Sequence, residues 1–357
     1  MFRFAAAPLC IIMSAMSALG AEPLRIAVSA PLSGPYALLG RQIVAGAEAA
    51  RTALPGADIE LVTVDDRCDA AGAKEAAAEA EAQNVSAVIG FLCASSLLAA
   101  LPKFRERKLP VIALGVRAAN IAADARKNGD LLFRLSPNSG QEAEAIANLL
   151  LPLWRKENFA IIDDGTIHSR ELAESFRAAA EEKGLKPAFV DTFRPALENQ
   201  FAMLNRLKRS GATHVFVGGD RDDIAVLARD AAEKGVNLTI AGGEALGAAA
   251  GDVAMPDNVL MVGLPEAARL AEAQSVVSAL AADKEAAEGY FLPAYAAIQL
   301  IAQSASLAKD PASLAAVLAK APHETAIGPI RFNAIGDRAD NPYRLMISKS
   351  GSFQDYQ

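Results

Sequence analysis

Five groups of residues in this chain have types and spacing that can do chemistry. Asp65 and Asp66 stand beside Arg67, and neighbouring carboxylates can share acid and base roles. No further acid lies at a recognisable spacing, so this trio reads as a solvated strand end with a local ion pair. Ser95 and Ser96 follow Cys93, but a nucleophilic serine needs a G-x-S-x-G elbow and none is present. They read instead as caps of a helix whose first N–H groups can receive an anion. His168, His214 and His323 lack metal-ligand spacing, so no metal site is expected. His214 opens an apolar strand and reads as structural, whereas His168 sits in a strand-to-helix loop. Gly242, Gly243 and Gly247 miss the G-x-G-x-x-G spacing, and no phosphate loop occurs, so no cofactor is expected. Cys68 and Cys93 remain.

Each of these cysteines stands just past the end of an apolar, strand-like run, at 59–64 and 85–92. An alanine- and glutamate-rich helix at 70–83 joins the two runs. In an open parallel sheet, strand ends of this kind are neighbours, and ligands bind beside them. The pair is either a disulfide stapling two loops of a cleft or two buried thiols. The compartment bears on that choice. Arg3 followed by the uncharged apolar run 4–19 and small residues at Gly20 and Ala21 reads as a secretory signal peptide, 1–21, cleaved near Gly20 or Ala21. Export to an oxidising space favours the disulfide.

The rest of the chain alternates strands with helices of ten or more residues. A strand at 24–28 is followed by a Pro/Gly loop at 29–34, a helix at 40–54, then the segments already named. A helix to about 107, capped by Ser95 or Ser96, and a strand at 110–114 complete a first run. After a break near 131–137 the pattern repeats with helices at 142–154, 171–183, 201–210 and 222–234. Strands fall at 159–163, 188–191, 214–218, 238–241 and 259–262. Helices at 292–307 and 311–320 and three short β-like pieces at 329–332, 343–347 and 352–353 end the chain. Such alternation specifies parallel sheets covered on both faces, here in two α/β halves of similar plan. Trp154, the only tryptophan, reads as core or as an interface anchor. The net charge of -7 and the lack of a basic patch argue against a nucleic-acid partner. No transmembrane span is expected in the mature chain.

In order, the segments APLSGPYALLG, DDRCDA, VIGFLCASS, AIIDDGTIHSRELA, KRSGATHVFVGGD, IAGGEALG and IGPIRFNAIGD resemble the leucine/isoleucine/valine-binding proteins of ABC importers. The likeness covers essentially the whole mature chain. It implies the type I periplasmic-binding-protein fold: two doubly wound parallel-sheet lobes, joined by three hinge strands, that close on a ligand. It also implies a Cys68–Cys93 disulfide, a small-molecule solute and an inner-membrane ABC permease as partners, a periplasmic location and no enzyme activity. By that pattern lobe I holds 24–136 and 266–326, and lobe II holds 137–265 and 329–357.

The resemblance also implies ligand positions. Ser33 survives in the first loop, and Glu244 survives as the residue that would meet an ammonium group. Elsewhere the chain departs from the pattern. Ala94 stands where amino-acid binders place serine, with Ser95 next. Arg117 stands at a threonine position, while His168 and Asp220 each stand at a tyrosine position. Arg117 can form a bidentate pair with a ligand carboxylate, or pair with Asp220 or Glu244 across the closed cleft. The expected reading is therefore a carrier of an amino acid or a related carboxylate or amide. A sensor using the same clamp is the alternative.

Overall fold

A computed structural model describes residues 23–54, 56–282, 286–320 and 322–356. The expected leader and its cleavage site lie outside them. The first half runs β1 (Leu24–Ala30), α1 (Ala37–Ala53), β2 (Ile59–Asp65), α2 (Ala70–Ala82), β3 (Ala87–Gly90), α3 (Ala94–Glu106), β4 (Val111–Ala113), α4 (Ile121–Asn128) and β5 (Leu132–Arg134). Its five strands are parallel, in the order β2-β1-β3-β4-β5. Every residue of β3, β4 and β5 is buried, as expected of strands covered on both faces.

The second half runs α5 (Ser139–Trp154), β6 (Phe159–Asp163), α6 (Ile167–Glu182), β7 (Phe189–Thr192), α7 (Phe201–Ser210), β8 (His214–Gly218), α8 (Arg221–Glu233), β9 (Thr239–Gly242) and β10 (Leu260–Gly263). A short 3-10 helix, Glu244–Gly247, follows β9. Its parallel strands lie in the order β7-β6-β8-β9-β10. Counted from its own first strand, that order matches the first half. Then come α9 (Gln274–Ala282), α10 (Phe291–Ala305), α11 (Pro311–Leu318), the two-stranded β11 (His323–Thr325) and β12 (Gly328–Ile330), and finally β13 (Arg344–Lys349) and β14 (Ser352–Asp355). β13 and β14 extend the second sheet antiparallel, beside β10.

The chain therefore passes between the sheets three times, at 135–138, 264–273 and 331–343. The late helices return to the first sheet: α10 and α11 share one core cluster with β1, β3 and α1, through Ile43, Ala47, Phe291, Ile298 and Leu314. This packing is close enough to require a glycine. A Cβ at Gly46 would lie 2.1 Å from the Phe291 carbonyl oxygen. Trp154 is core, 2% exposed, with ring centroids 5.9 Å from Phe176 and 5.4 Å from His214.

The first and third crossings are tied by a buried ion pair. Arg134, fully buried at the end of β5, donates from Nε and Nη2 to Asp337 at 2.5 and 2.7 Å. Its Nη1 donates to the Ala118 carbonyl at 2.6 Å, and Asn138 donates to the same Asp337 carboxylate at 3.2 Å. Gly336, at φ +89°, allows this approach, since a Cβ there would meet the Leu132 carbonyl oxygen at 2.0 Å.

Cys68 and Cys93 form the disulfide, with Cα atoms 5.3 Å apart. Several expectations need correction. Cys93, not Ser95 or Ser96, is the N-cap of α3, and its side chain makes no capping bond. The Ser95 hydroxyl donates to the Cys68 carbonyl and that of Ser96 to the Cys93 carbonyl, so both brace the disulfide loops. Asp66 is fully buried rather than solvated. It accepts from the Ser29 hydroxyl and the Cys68 N–H, and burial pushes its carboxyl up. Arg67 pairs with Glu75 at 2.7 Å instead of with Asp65 or Asp66. The helices α4 and α9 and the strand β11 carried no sequence signal of their own.

Three stability outcomes follow. Gly46→Ala would gain about 1 kcal/mol in an exposed helix, but here it should destabilise by about 1–3 kcal/mol through overpacking against α10. Asp337→Ala leaves a buried guanidinium unpaired and should cost about 3–5 kcal/mol. Cys93→Ser opens a loop of 25-residue separation and should cost about 3 kcal/mol. Denaturant unfolding of each variant beside the parent protein checks all three.

Candidate ligand-binding site

The matching strand orders place equivalent loops of the two halves at corresponding positions. After the first strand of each half come Ser33 (past β1) and His168 (past β6). After the third come Ala94 and Ser95 (past β3) and Asp220 (past β8). After the fourth come Arg117 (past β4) and Glu244 (past β9). All lie at carboxyl ends of parallel strands, where open α/β sheets bind ligands.

Only the last pair meets directly. Arg117 donates from Nη1 and Nη2 to the two oxygens of Glu244, at 2.8 and 2.6 Å, a bidentate fork. The Arg117 side chain is 34% exposed and that of Glu244 29%. Tyr343, buried at the end of the third crossing, accepts from Arg117 Nη2 and donates to Glu244 Oε2 at 2.5 Å. Arg117 Nε donates to the Pro137 carbonyl on the first crossing, at 3.3 Å. Burial opposes the charged guanidinium, but the hydrogen bond and charge of Glu244 outweigh it, so Arg117 is held protonated more firmly than usual. Burial and the Glu244 charge push the Tyr343 phenol well above its ordinary value, which keeps it a donor.

Glu142 completes the cluster. It is 3% exposed in the first turn of α5 and accepts from the Glu244 N–H at 2.8 Å. His168 Nε2 lies 3.6 Å from its other oxygen. Burial is the chief cause that raises the Glu142 carboxyl. The Glu244 N–H works against it, and the Glu244 charge adds to it.

Two cavities flank this cluster. One, of about 1210 Å3, is lined by all three crossings, with Leu114, Leu135, Leu264, Tyr290, Phe332 and Tyr343 in its wall. The other, of about 650 Å3, is lined by Ser139, Glu142, His168, Ala245 and Met261 among others. Arg117, Glu244 and Leu264 line both, so the ion pair stands as a partition between them.

The structure thus brings Arg117, Glu244 and His168 to one place. Ser33, Ala94, Ser95 and Asp220 line neither cavity. The Ser33 hydroxyl donates to Asp65 at 2.7 Å, Ala94 is the first residue of α3, and exposed Asp220 precedes α8 without a side-chain capping bond. Sequence reasoning missed Glu142 and Tyr343. An acid in a helix's first turn is ordinary, since it favours the helix dipole, and a tyrosine opening a β-like piece gives no sign of its partners. Among the described residues no group of His, Cys, Asp and Glu can hold a metal, and no helix is long and apolar enough to cross a membrane.

Comparisons with known proteins agree with this architecture. The chain is 27% identical over 328 residues to a Leu/Ile/Val-binding protein homolog of Brucella melitensis, covering 87% of this chain and 88% of that one. It is 26% identical over 334 residues to a leucine-, isoleucine-, valine-, threonine- and alanine-binding protein of Pseudomonas aeruginosa, covering 89% and 88%. Among solved structures it shares its fold with an ABC transporter substrate-binding protein of Desulfitobacterium hafniense in complex with Leu. That match has TM-score 0.72 and 20% identity and covers 94% of this chain and 100% of the other. It also shares the fold of an ABC transporter solute-binding protein of Rhodopseudomonas palustris in complex with benzoate, with TM-score 0.62, 19% identity and coverage of 93% and 95%. The family described as periplasmic binding protein matches residues 23–352. The chain belongs to that family, and is with it a substrate-binding rather than a catalytic protein.

Proposed function

We propose that this protein captures a small amino acid, or a related carboxylate or amide, between its two lobes and delivers it to the inner-membrane permease of an ABC importer. The observation that carries this reading is the Arg117–Glu244 fork, which joins the loop after β4 in one sheet to the loop after β9 in the other. Groups so placed meet only when the lobes approach, and the cavities beside them are walled by the crossings on which the lobes would turn. The relatives named above are amino-acid binders by name, and the structures of like fold hold leucine and benzoate.

On this reading the first lobe holds 24–136 and 266–326 and the second 137–265 and 329–357. Residues 1–21 are an export leader cut near Gly20 or Ala21, which places the mature chain in the periplasm. Contacts to the solute come from Arg117, His168 and Glu244, now joined by Glu142. Ser33, Ala94, Ser95 and Asp220 stay in the proposal as strand-end groups that a solute reaching the mouth of the cleft would touch. A solute drives closure only by as much as it prefers the closed state.

Thermal unfolding of the signal-free protein with a panel of amino acids, amides and small carboxylates tests this. A solute at a hundred times its dissociation constant adds about 2.7 kcal/mol, an upward midpoint shift of several degrees. Glu142→Gln or His168→Ala should weaken affinity about tenfold, as the loss of one charge-assisted hydrogen bond would, and so roughly halve the stabilisation at the same solute concentration. A panel that leaves the midpoint unmoved throughout would sink the reading.

A further inference from the structure

The Arg117–Glu244–Tyr343 cluster has little bonding capacity left for a solute's ammonium group. A guanidinium carries five N–H donors. Here Nε serves Pro137, Nη1 serves one Glu244 oxygen, and Nη2 serves both the other Glu244 oxygen and the Tyr343 hydroxyl. A single Nη1 hydrogen is uncommitted. The Glu244 carboxylate, in turn, accepts from both arms of the fork and from Tyr343. A solute ammonium seeking Glu244 would have to displace the fork. It would then share the cleft with a part-buried guanidinium of like charge that has lost its partner.

Resting on the reading that this cleft captures the solute, we infer that Arg117 is a built-in counter-ion. It occupies Glu244 in the place of a solute's ammonium group, so the cleft excludes α-amino acids and takes a small apolar-bodied solute with no cationic group. The larger cavity presents Leu114, Leu135, Leu264, Tyr290 and Phe332 on one part of its wall and Arg331, Arg338 and Asp340 on another, with the partition itself internally neutralised. On the smaller side, Glu142 spends one oxygen on the Glu244 N–H and faces His168 with the other. Of the Glu244 carboxylate, three of about four acceptor positions are already taken.

Three compounds with one carbon skeleton test the inference: L-leucine, 4-methylpentanoate and 4-methylpentanamide, each titrated calorimetrically into the parent protein and into Arg117→Thr. The parent protein should bind one or both of the compounds lacking the amino group and give no heat with leucine. Arg117→Thr frees Glu244 and should gain leucine affinity by at least about tenfold, and Glu244→Gln in that background should abolish the gain. Circular dichroism and the unfolding midpoint establish that each variant is folded. Leucine binding to the parent protein as tightly as its analogues overturns the counter-ion while leaving solute capture standing. A folded Arg117→Thr variant that gains no leucine binding also overturns it. Gain of leucine binding by the variant supports it even if the parent protein ignores all three compounds.

Discussion

The Arg134–Asp337 pair fixes the frame on which the rest of this protein depends. A fully buried guanidinium is tolerable only when its charge is matched and its donors are engaged, and here a carboxylate, a carbonyl and a neighbouring amide surround the contact. The pair joins the end of β5 to the third crossing, so two of the three segments linking the sheets leave from one anchored point. Pro137, whose carbonyl holds Arg117, lies on the first of these segments, and Tyr343 ends the other. The position of the Arg117 guanidinium is therefore inherited from a second, wholly buried one.

Topology then does the pairing. Both halves wind in the same order, so each loop after a strand has a counterpart in the other half, and one such pair of loops meets. Arg117 and Glu244 are 127 positions apart but both follow the fourth strand of their half. Their charges cancel across the partition. The larger cavity beside it joins an apolar wall to charged and amide groups on the crossings, Glu272, Arg331, Asn333, Arg338 and Asp340.

Much of this was legible in sequence because the signal was periodic. Parallel strands buried on both faces read as short apolar runs, and long helices between them show a repeating apolar stripe, so β6, β8, α7 and α10 fall where patterning puts them. Short elements such as α4 and β11 escaped because one or two turns hold too few residues to show a period. The site was half legible. Arg117 and Glu244 were reached through the resemblance, as positions matched to that family's ligand set. Glu142 and Tyr343 are ordinary at their own positions, and only the tertiary fold brings them to the cluster. Asp66 misled for the opposite reason: beside Asp65 and Arg67 it looked solvated, yet Ser29 and the Cys68 N–H let it be buried.

The return of α10 and α11 to the first sheet has a consequence for how the chain is made. The apolar face of α1, with Ile43, Ala47 and Ala50, is covered by Phe291, Ile298 and their neighbours, and the same core reaches Leu314 and Leu318. A growing chain that ends anywhere before these helices cannot complete its own first core, although all five strands of that sheet are already present. The second half, from α5 to β10, is continuous in sequence and can begin to pack before the first is finished. Synthesis from the N-terminus thus leaves the core of the first sheet incomplete until nearly nine-tenths of the chain has emerged.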